Sequence, residues 1–560
     1  MEAVVRAEER SIRRVSSPPD TIQTDVAVLG TGAAGLTAAL AASIRGASVT
    51  LIEKASTIGG TSALSGGQVW LPANPRAVEA GIADSVEDGI RYYRSLSHGL
   101  LDEDLVRTLV ETGPKLVDWL DTSTSVRLLL VPGYPDYHPE NPGGMPKGGR
   151  TLEPGLFSFV RLGEWATRIT PSWLESRMLL QETPFVPGAV IPNGAEMQRR
   201  EAEDIHAMGP ALVGALLADL LERDIVPRTN SRATELIMKD GRVVGLLTEE
   251  NGELIEVRTN RGVVIATGGF DWDPDLVKSF LRGPMAAPIS FPENTGDGLK
   301  MAMRAGASLG TMAHAWWMPC IKLSDDGHFG RVEYRMTLNE RAYPGSIMVN
   351  RKGERFVNEA SSYNALGGAL HQFDSTRFEY ANLPCWIVID QACLENYGFP
   401  LGGVRPGDPA PEWMASGDTL TALAEEIGVP ADRLNATVNR FNDLVDGGRD
   451  LDFGRGESAY DLWNGDNSRT GTKITLGRLD TGPYHAVEVH SGTLGTKGGP
   501  RTNGDAQVLD VEGRPIPGLY AAGNAMAGTT GMVYGGAGGT LGPAMVFGYR
   551  AGLHSGSSCH

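Results

Sequence analysis

The chain has 560 residues and a formal net charge of −18, from 50 Lys+Arg against 68 Asp+Glu, which is the bulk of two to four domains with an acidic surface. That balance, with no Lys/Arg stripe to offset it, excludes a nucleic-acid partner, and 41% apolar with 21% charged residues excludes wholesale disorder. Glycine is the outlier: 72 of 560 residues, against a usual share of roughly 7%. The glycines fall in short clusters between apolar runs, where backbone must turn sharply or approach something closely.

The first residues, MEAVVRAEERSIRRVSS, are charged and lack the apolar core of a signal peptide. Asp25-Val-Ala-Val-Leu-Gly-Thr-Gly-Ala-Ala-Gly35 then predicts a buried strand, a turn with glycines at 30, 32 and 35, and an Ala-rich helix. In G-x-G-x-x-G the first glycine makes the tight turn and the second admits a pyrophosphate. The third lets helix and strand pack closely, so that the helix N-terminus is aimed at the phosphates. A second strand, Ser48-Val-Thr-Leu-Ile-Glu53, ends in an acid placed to bind a ribose diol and to select against a 2′-phosphate. Gly59 to Gly67 (GGTSALSGG), with Trp70 and Asn74 behind it, predicts a small-residue loop lying along a long dinucleotide.

Thr151 to Asn193 is rich in Leu, Phe, Trp and Pro and is expected either to complete the core or to form a lid that touches a membrane surface. An amphipathic helix is expected near 202–222. Its most apolar part, Pro210 to Leu221, is too short to span a bilayer and contains Asp219. Turns at Lys239-Asp-Gly-Arg and Asn251-Gly-Glu predict a small meander over 233–259. Gly262-Val-Val-Ile-Ala-Thr-Gly-Gly269 and Gly518-Leu-Tyr-Ala-Ala-Gly-Asn524 each predict a buried strand ending at a glycine turn. Both ends of the chain therefore contribute to one nucleotide-binding domain, with another domain inserted between. The expected fold is α/β: a doubly wound, Rossmann-like FAD-binding domain (20–300 and 491–560) and an inserted α+β capping domain (301–490). Cys320, Cys385, Cys393 and Cys559 show no zinc or redox spacing, the histidines show no metal spacing, and no metal is expected. The chain reads as a cytoplasmic protein.

The succession of glycine fingerprint, Glu53, GGTSALSGG, IATGG, NTGDG (Asn294 to Gly298), Phe356-Val-Asn-Glu359 and LYAAGN resembles the fumarate reductase/succinate dehydrogenase flavoprotein superfamily. The resemblance covers most of the chain and implies FAD. Contacts are expected at Gly30, Gly32, Ala33, Ala34, Gly35, Glu53, Lys54, Gly60, Thr61, Ser62, Ser65, Gly66 and Gly67. Further contacts are expected at Ala266, Thr267, Gly268, Asp297, Gly523, Asn524, Gly539 and Leu541. Membrane-complex members attach FAD through a histidine after the acid strand; this loop has none, so noncovalent FAD is expected.

Dicarboxylate-reducing members carry an arginine-bearing loop before the C-terminal helix. Here Gly531-Met-Val-Tyr534-Gly-Gly-Ala-Gly538-Gly-Thr-Leu-Gly-Pro543 contains neither arginine nor histidine, which removes most support for fumarate chemistry. A tyrosine with exposed backbone amides can instead stabilise enolate character on a carbonyl. This segment, the Gly133–Gly144 loop with Tyr137, and the segment Pro344 to Tyr363 resemble the 3-ketosteroid Δ1-dehydrogenases. The resemblance implies Tyr363 as the base that takes the C2 proton and Tyr137 as its helper. It implies Tyr534 and the Gly538 amide as the electrophile at the C3 carbonyl, with the C1 hydride passing to flavin N5. A phenol is a poor base at neutral pH, and Tyr137 is expected to stabilise the Tyr363 phenolate. Gly538→Pro, which removes the amide, is expected to hurt turnover far more than FAD binding.

The expected partners are a 3-ketosteroid and a quinone or other electron acceptor, with possible peripheral membrane association through 151–193. The alternatives are a Δ4-ketosteroid dehydrogenase, a cyclic-ketone desaturase, a fumarate-reductase-like reductase, or a flavin-fold binding protein without turnover. Tyr484 and His485 are expected to be structural.

Overall fold

The computed structural model describes residues 20–172 and 177–557; the charged N-terminal stretch and Cys559 lie outside them. The fingerprint strand Asp20–Leu29 pairs in parallel with Val49–Ile52 on one side and with Glu253–Ile265 on the other. Glu253–Ile265 pairs in parallel with Pro515–Ala521. The first sheet therefore draws its centre from both ends of the chain. The predicted meander is present: Ser231–Lys239, Arg242–Glu250 and Glu253–Ile265 are successive antiparallel strands.

The Ala-rich helix Ala33–Ile44 is buried over most of its length because a second helix, Leu541–Gly556, lies against it. Glycine makes that approach possible: a Cβ at Gly548 would sit 2.4 Å from the Ala34 carbonyl oxygen, and one at Gly552 2.3 Å from that of Ala38. The region near 202–222 is not one amphipathic helix. Gly194–Ala202 is an exposed helix capped by Asn193, and Met208–Leu221 is a separate helix buried on nearly every side. Its sequence, MGPALVGALLADLL, has no polar face; Asp219 is buried and accepts from Ser125 N–H and Oγ–H at 2.6 Å each.

A second sheet runs Glu333–Met336, Ala315–Ser324, Tyr484–Thr496, Cys385–Asp390, Ser346–Asn350. Its long central strand, Tyr484–Thr496, delivers the chain back to the first sheet, and Ala287–Pro288 pairs with it as well. Cys320, Cys385 and Cys393 are buried free thiols. Among the described residues no helix is long and apolar enough to cross a membrane.

Candidate active site

A cavity of about 330 Å³ separates the two sheets, with small residues at one end and aromatic residues at the other. At the first end, Gly30 turns the chain at φ +100°, and a Cβ there would lie 2.4 Å from the Ala266 oxygen. Gly35 lies behind the turn, where a Cβ would sit 2.0 Å from the Gly30 oxygen. Ala33 N–H donates to Ser62 Oγ. The N–H groups of Gly32 and Ala34 have no acceptor among the described residues and border the cavity. Glu53 is buried: Oε2 accepts from Thr31 N–H and Oγ–H, and Oε1 accepts from Ala55 N–H. One lone pair on Oε1 is left for a hydroxyl of a bound ribose. Burial pushes the Glu53 carboxyl above its ordinary range, partly offset by these donors. Lys54 Nζ reaches Glu293 O, Thr295 Oγ1 and Asp297 Oδ2. Burial opposes the charge of Asp297, yet Arg232 and Lys54 hold its pKa below the ordinary value. Orphan amides at a helix start beside a free carboxylate lone pair fit a pyrophosphate and a ribose.

All the residues expected to contact FAD line this cavity except Gly35 and Gly539. Gly539 packs under the Tyr534 ring, where a Cβ would be 3.0 Å away. Gly60–Leu64, expected as a loop, is a short helix. It is started by left-handed Gly59 (φ +106°), and its Ala63 and Leu64 are buried, so it presents Thr61 and Ser62 from a regular element.

The other end gathers four tyrosines from distant segments. Tyr363 opens the helix Tyr363–Leu370, and its hydroxyl is 2.7 Å from that of Tyr137. The Tyr137 ring lies 5.2 Å from Tyr534 and 4.9 Å from Tyr460, and Tyr363 lies 5.4 Å from Tyr534. Thr540 Oγ–H donates to Tyr534 Oη at 3.0 Å. Two loops are fastened together here: Tyr137 N–H and Tyr92 Oη–H both donate to Gly535 O, and His138 N–H donates to Tyr92 Oη. Beneath them Asp136, its pKa pushed up to about 6 by burial against the pull of Arg150, accepts from Trp70 Nε1, Met145 N and Arg150. Gly538 borders the cavity with an N–H that has no acceptor among the described residues.

Burial pushes Tyr137 and Tyr363 well above the ordinary phenol range and also raises Tyr534. The hydrogen bond from Tyr137 pulls Tyr363 down, as expected, but burial outweighs it. The bond from Tyr137 thus favours the Tyr363 phenolate, against the burial that opposes it. The Gly538→Pro test changes meaning. Gly538 sits at φ +99°, and a Cβ would lie 2.5 Å from the Gln68–Val69 peptide, so proline would break the turn as well as remove the amide.

Tyr460 and Tyr92 carry no sequence signal, because their surroundings read as ordinary core; Tyr134 lies in the Gly133–Gly144 loop but is not singled out within it. Tyr460, its pKa pushed up to about 12 by burial, has a buried hydroxyl without a partner in the structure. His485 is away from the cavity, held by Ser416 Oγ and Gln391 Oε1. The rest of the wall is mostly apolar, with Leu180, Phe185, Met318, Met336, Leu401 and Trp463, and carries the amides of Asn339 and Asn464. Leu180 and Phe185 come from the 151–193 segment. Of the same segment, Thr151–Pro154 is a fully buried strand and Phe157, Phe159 and Leu162 belong to the core.

A largely parallel sheet with a glycine turn and a buried acid, facing an aromatic cavity under a second sheet, fits an FAD-dependent oxidoreductase. The family model described as "FAD binding domain" matches residues 25–541, and the chain belongs to this family. It is 41% identical over 552 residues to the 4-oxocyclohexanecarboxylate 2-dehydrogenase of Sinomonas cyclohexanicum, covering 96% of this chain and 93% of that one. It is 36% identical to the 3-oxosteroid 1-dehydrogenase of Mycobacterium tuberculosis, covering 95% and 98%. The 3-ketosteroid Δ1-dehydrogenase of Sterolibacterium denitrificans, solved with 1,4-androstadiene-3,17-dione, superimposes with a TM-score of 0.87 at 33% identity, covering 95% of this chain and 99% of that one. The chain is an FAD-dependent dehydrogenase of the fumarate reductase superfamily, acting on CH–CH donors.

Proposed function

We propose that the protein introduces the C1–C2 double bond into ring A of a 3-ketosteroid. The observation that carries this substrate class is the wall of the tyrosine end. Among the described residues, Lys54 is the one cation on the cavity wall, and it stands at the Glu53–Asp297 end. A carboxylate entering beside the tyrosines would meet mostly Met, Leu and Trp on a wall that no cation reaches, the Arg341 guanidinium acting only from behind Tyr134 and Tyr460, which is costly; a neutral polycyclic ketone gains from the same wall.

In this mechanism Tyr534 Oη–H and the Gly538 N–H donate to the C3 carbonyl oxygen, lowering the cost of charge developing there. Tyr363, as the phenolate, takes the C2 proton on Oη, and Tyr137 donates its 2.7 Å hydrogen bond to that oxygen, favouring the deprotonated form before the transfer. FAD, when bound, supplies the two-electron acceptor for the hydrogen leaving C1. Tyr460 and the apolar wall exclude water. The absence of histidine from Gly59–Gly67 supports noncovalent FAD. The layout that fits is an FAD domain over 20–300 and 491–560, capped by 301–490. A quinone or similar carrier would reoxidise the protein in the cytoplasm. Exposed Val160, Val190 and Ile191 are the part of 151–193 available to a membrane surface.

The second reading, a small cyclic keto acid, is favoured by the 41% identity to the 4-oxocyclohexanecarboxylate enzyme. Anaerobic mixing of the yellow holoenzyme with androst-4-ene-3,17-dione, and separately with 4-oxocyclohexanecarboxylate, decides between them. Rapid bleaching with the steroid and formation of the 1,4-diene is expected. Bleaching by the keto acid alone would transfer the assignment to that substrate.

A further inference from the structure

Lys497 is 1% exposed and has no carboxylate within salt-bridge distance among the described residues. It directly follows the long strand Tyr484–Thr496 that carries the chain back from the second sheet to the first. Its Nζ donates to Val533 O at 2.7 Å and to Thr530 Oγ1 at 3.3 Å, and lies 3.8 Å from the centre of the Trp316 ring. Those contacts form a seat for an ammonium: two oxygen acceptors and the face of an indole. Trp316 in turn donates from Nε1 to Asn524 Oδ1 at 2.9 Å and packs edge-on against Tyr534 at 4.6 Å.

A second, smaller cavity of about 20 Å³ begins at Lys497 and Trp316 and is closed by Gly523, Asn524, Thr540 and Ala544. Those last four also line the large cavity, and Thr540 precedes the helix Leu541–Gly556 without a side-chain capping bond. The space is enough for one water, so the ammonium and the main cavity are separated by little more than a solvent molecule and the positive end of a helix. A buried lysine without an anion is costly, and nothing in substrate binding or proton abstraction uses it.

We propose that Lys497 is the countercharge of the FAD site, a buried amine that takes up a proton to offset the negative charge bound FAD acquires when it is reduced or when an anion adds to it. Its grip on Val533 O couples that charge to the loop bearing Tyr534. Burial holds its pKa well below the ordinary lysine range, which favours the neutral amine until negative charge appears across the small cavity and draws a proton onto it. The inference rests on FAD binding and is independent of which ketone is oxidised.

The test uses holoenzyme and no substrate. Sulfite, which adds to oxidised flavin to give an anionic adduct, is titrated by loss of visible absorbance, and the flavin midpoint potential is measured with reference dyes. Wild type is compared with Lys497→Met and with Lys497→Gln, which keeps a donor for Val533 O but carries no charge. Both variants should bind sulfite more weakly by on the order of tenfold or more and should shift the midpoint potential to more negative values. Wild-type sulfite affinity and potential in an FAD-loaded variant would overturn the proposal. If Met prevents FAD loading, the Gln variant decides by the same two measurements. If Met alone loses sulfite affinity while Gln matches wild type, Lys497 is a loop anchor and the countercharge is rejected.

Discussion

The two ends of the large cavity are built by different means. The dinucleotide end is made of backbone: Gly30 turns where no side chain fits, and orphan amides and one acid do the recognising. The tyrosine end is made of side chains from four separate segments, joined by the 2.7 Å hydroxyl pair and by a single carbonyl, Gly535 O, that two donors share. Damage to the first end should therefore remove the cofactor. Damage to the second should remove chemistry and leave a yellow protein.

The largest expected effect lies at the first end. Gly30→Ala puts a Cβ 2.4 Å from the Ala266 oxygen at φ +100°, a strain of about 3 kcal/mol or more. The purified variant should be colourless and melt earlier; an FAD-saturated variant with wild-type melting would break the contrast. Next, Tyr363→Phe should lower kcat by about 10³ with FAD content unchanged, measured by steady-state dehydrogenation and the absorbance ratio of flavin to protein. Tyr534→Phe removes one of two donors to the carbonyl and should cost about 10² to 10³ in kcat, again with FAD retained.

The finest distinction is a pH profile. Burial raises the Tyr363 pKa, and a base acts only when deprotonated, so kcat should climb with pH through neutrality and still be rising near about pH 10. Tyr137→Phe removes the bond that pulls Tyr363 down, so the rise should move further to the alkaline side with KM nearly constant. A flat profile in wild type would reassign the base.

The dinucleotide end was legible in sequence because its signals are local. Gly30, Gly32, Gly35 and Glu53 have the spacing of one strand–helix–strand unit, and the structure joins them as that spacing requires. Tyr137, Tyr363 and Tyr534 were legible only through the motifs around them; the structure brings all three within one cluster. Tyr460 and Tyr92 were not legible, since an aromatic residue in an apolar stretch looks the same whether it packs a core or walls a site. Burial energetics were also out of reach. The resemblance pairs Tyr137 with Tyr363, but only the enclosing fold reveals that burial raises both phenols. The helix at 60–64 was missed because glycine and serine read as loop, while Ala63 and Leu64 find a hydrophobic seat that no local pattern announces.

The helix that lies across Ala34 and Ala38 consists of residues 541–556, and the strand beside Glu253–Ile265 consists of residues 515–521. The site that opens at residue 25 is thus finished by residues 515–556. During synthesis the nascent chain must carry its glycine turn and its acid unfinished until those residues have emerged. A message cut before residue 515 yields a chain with every recognisable motif of the first half and without the strand and helix that close the site.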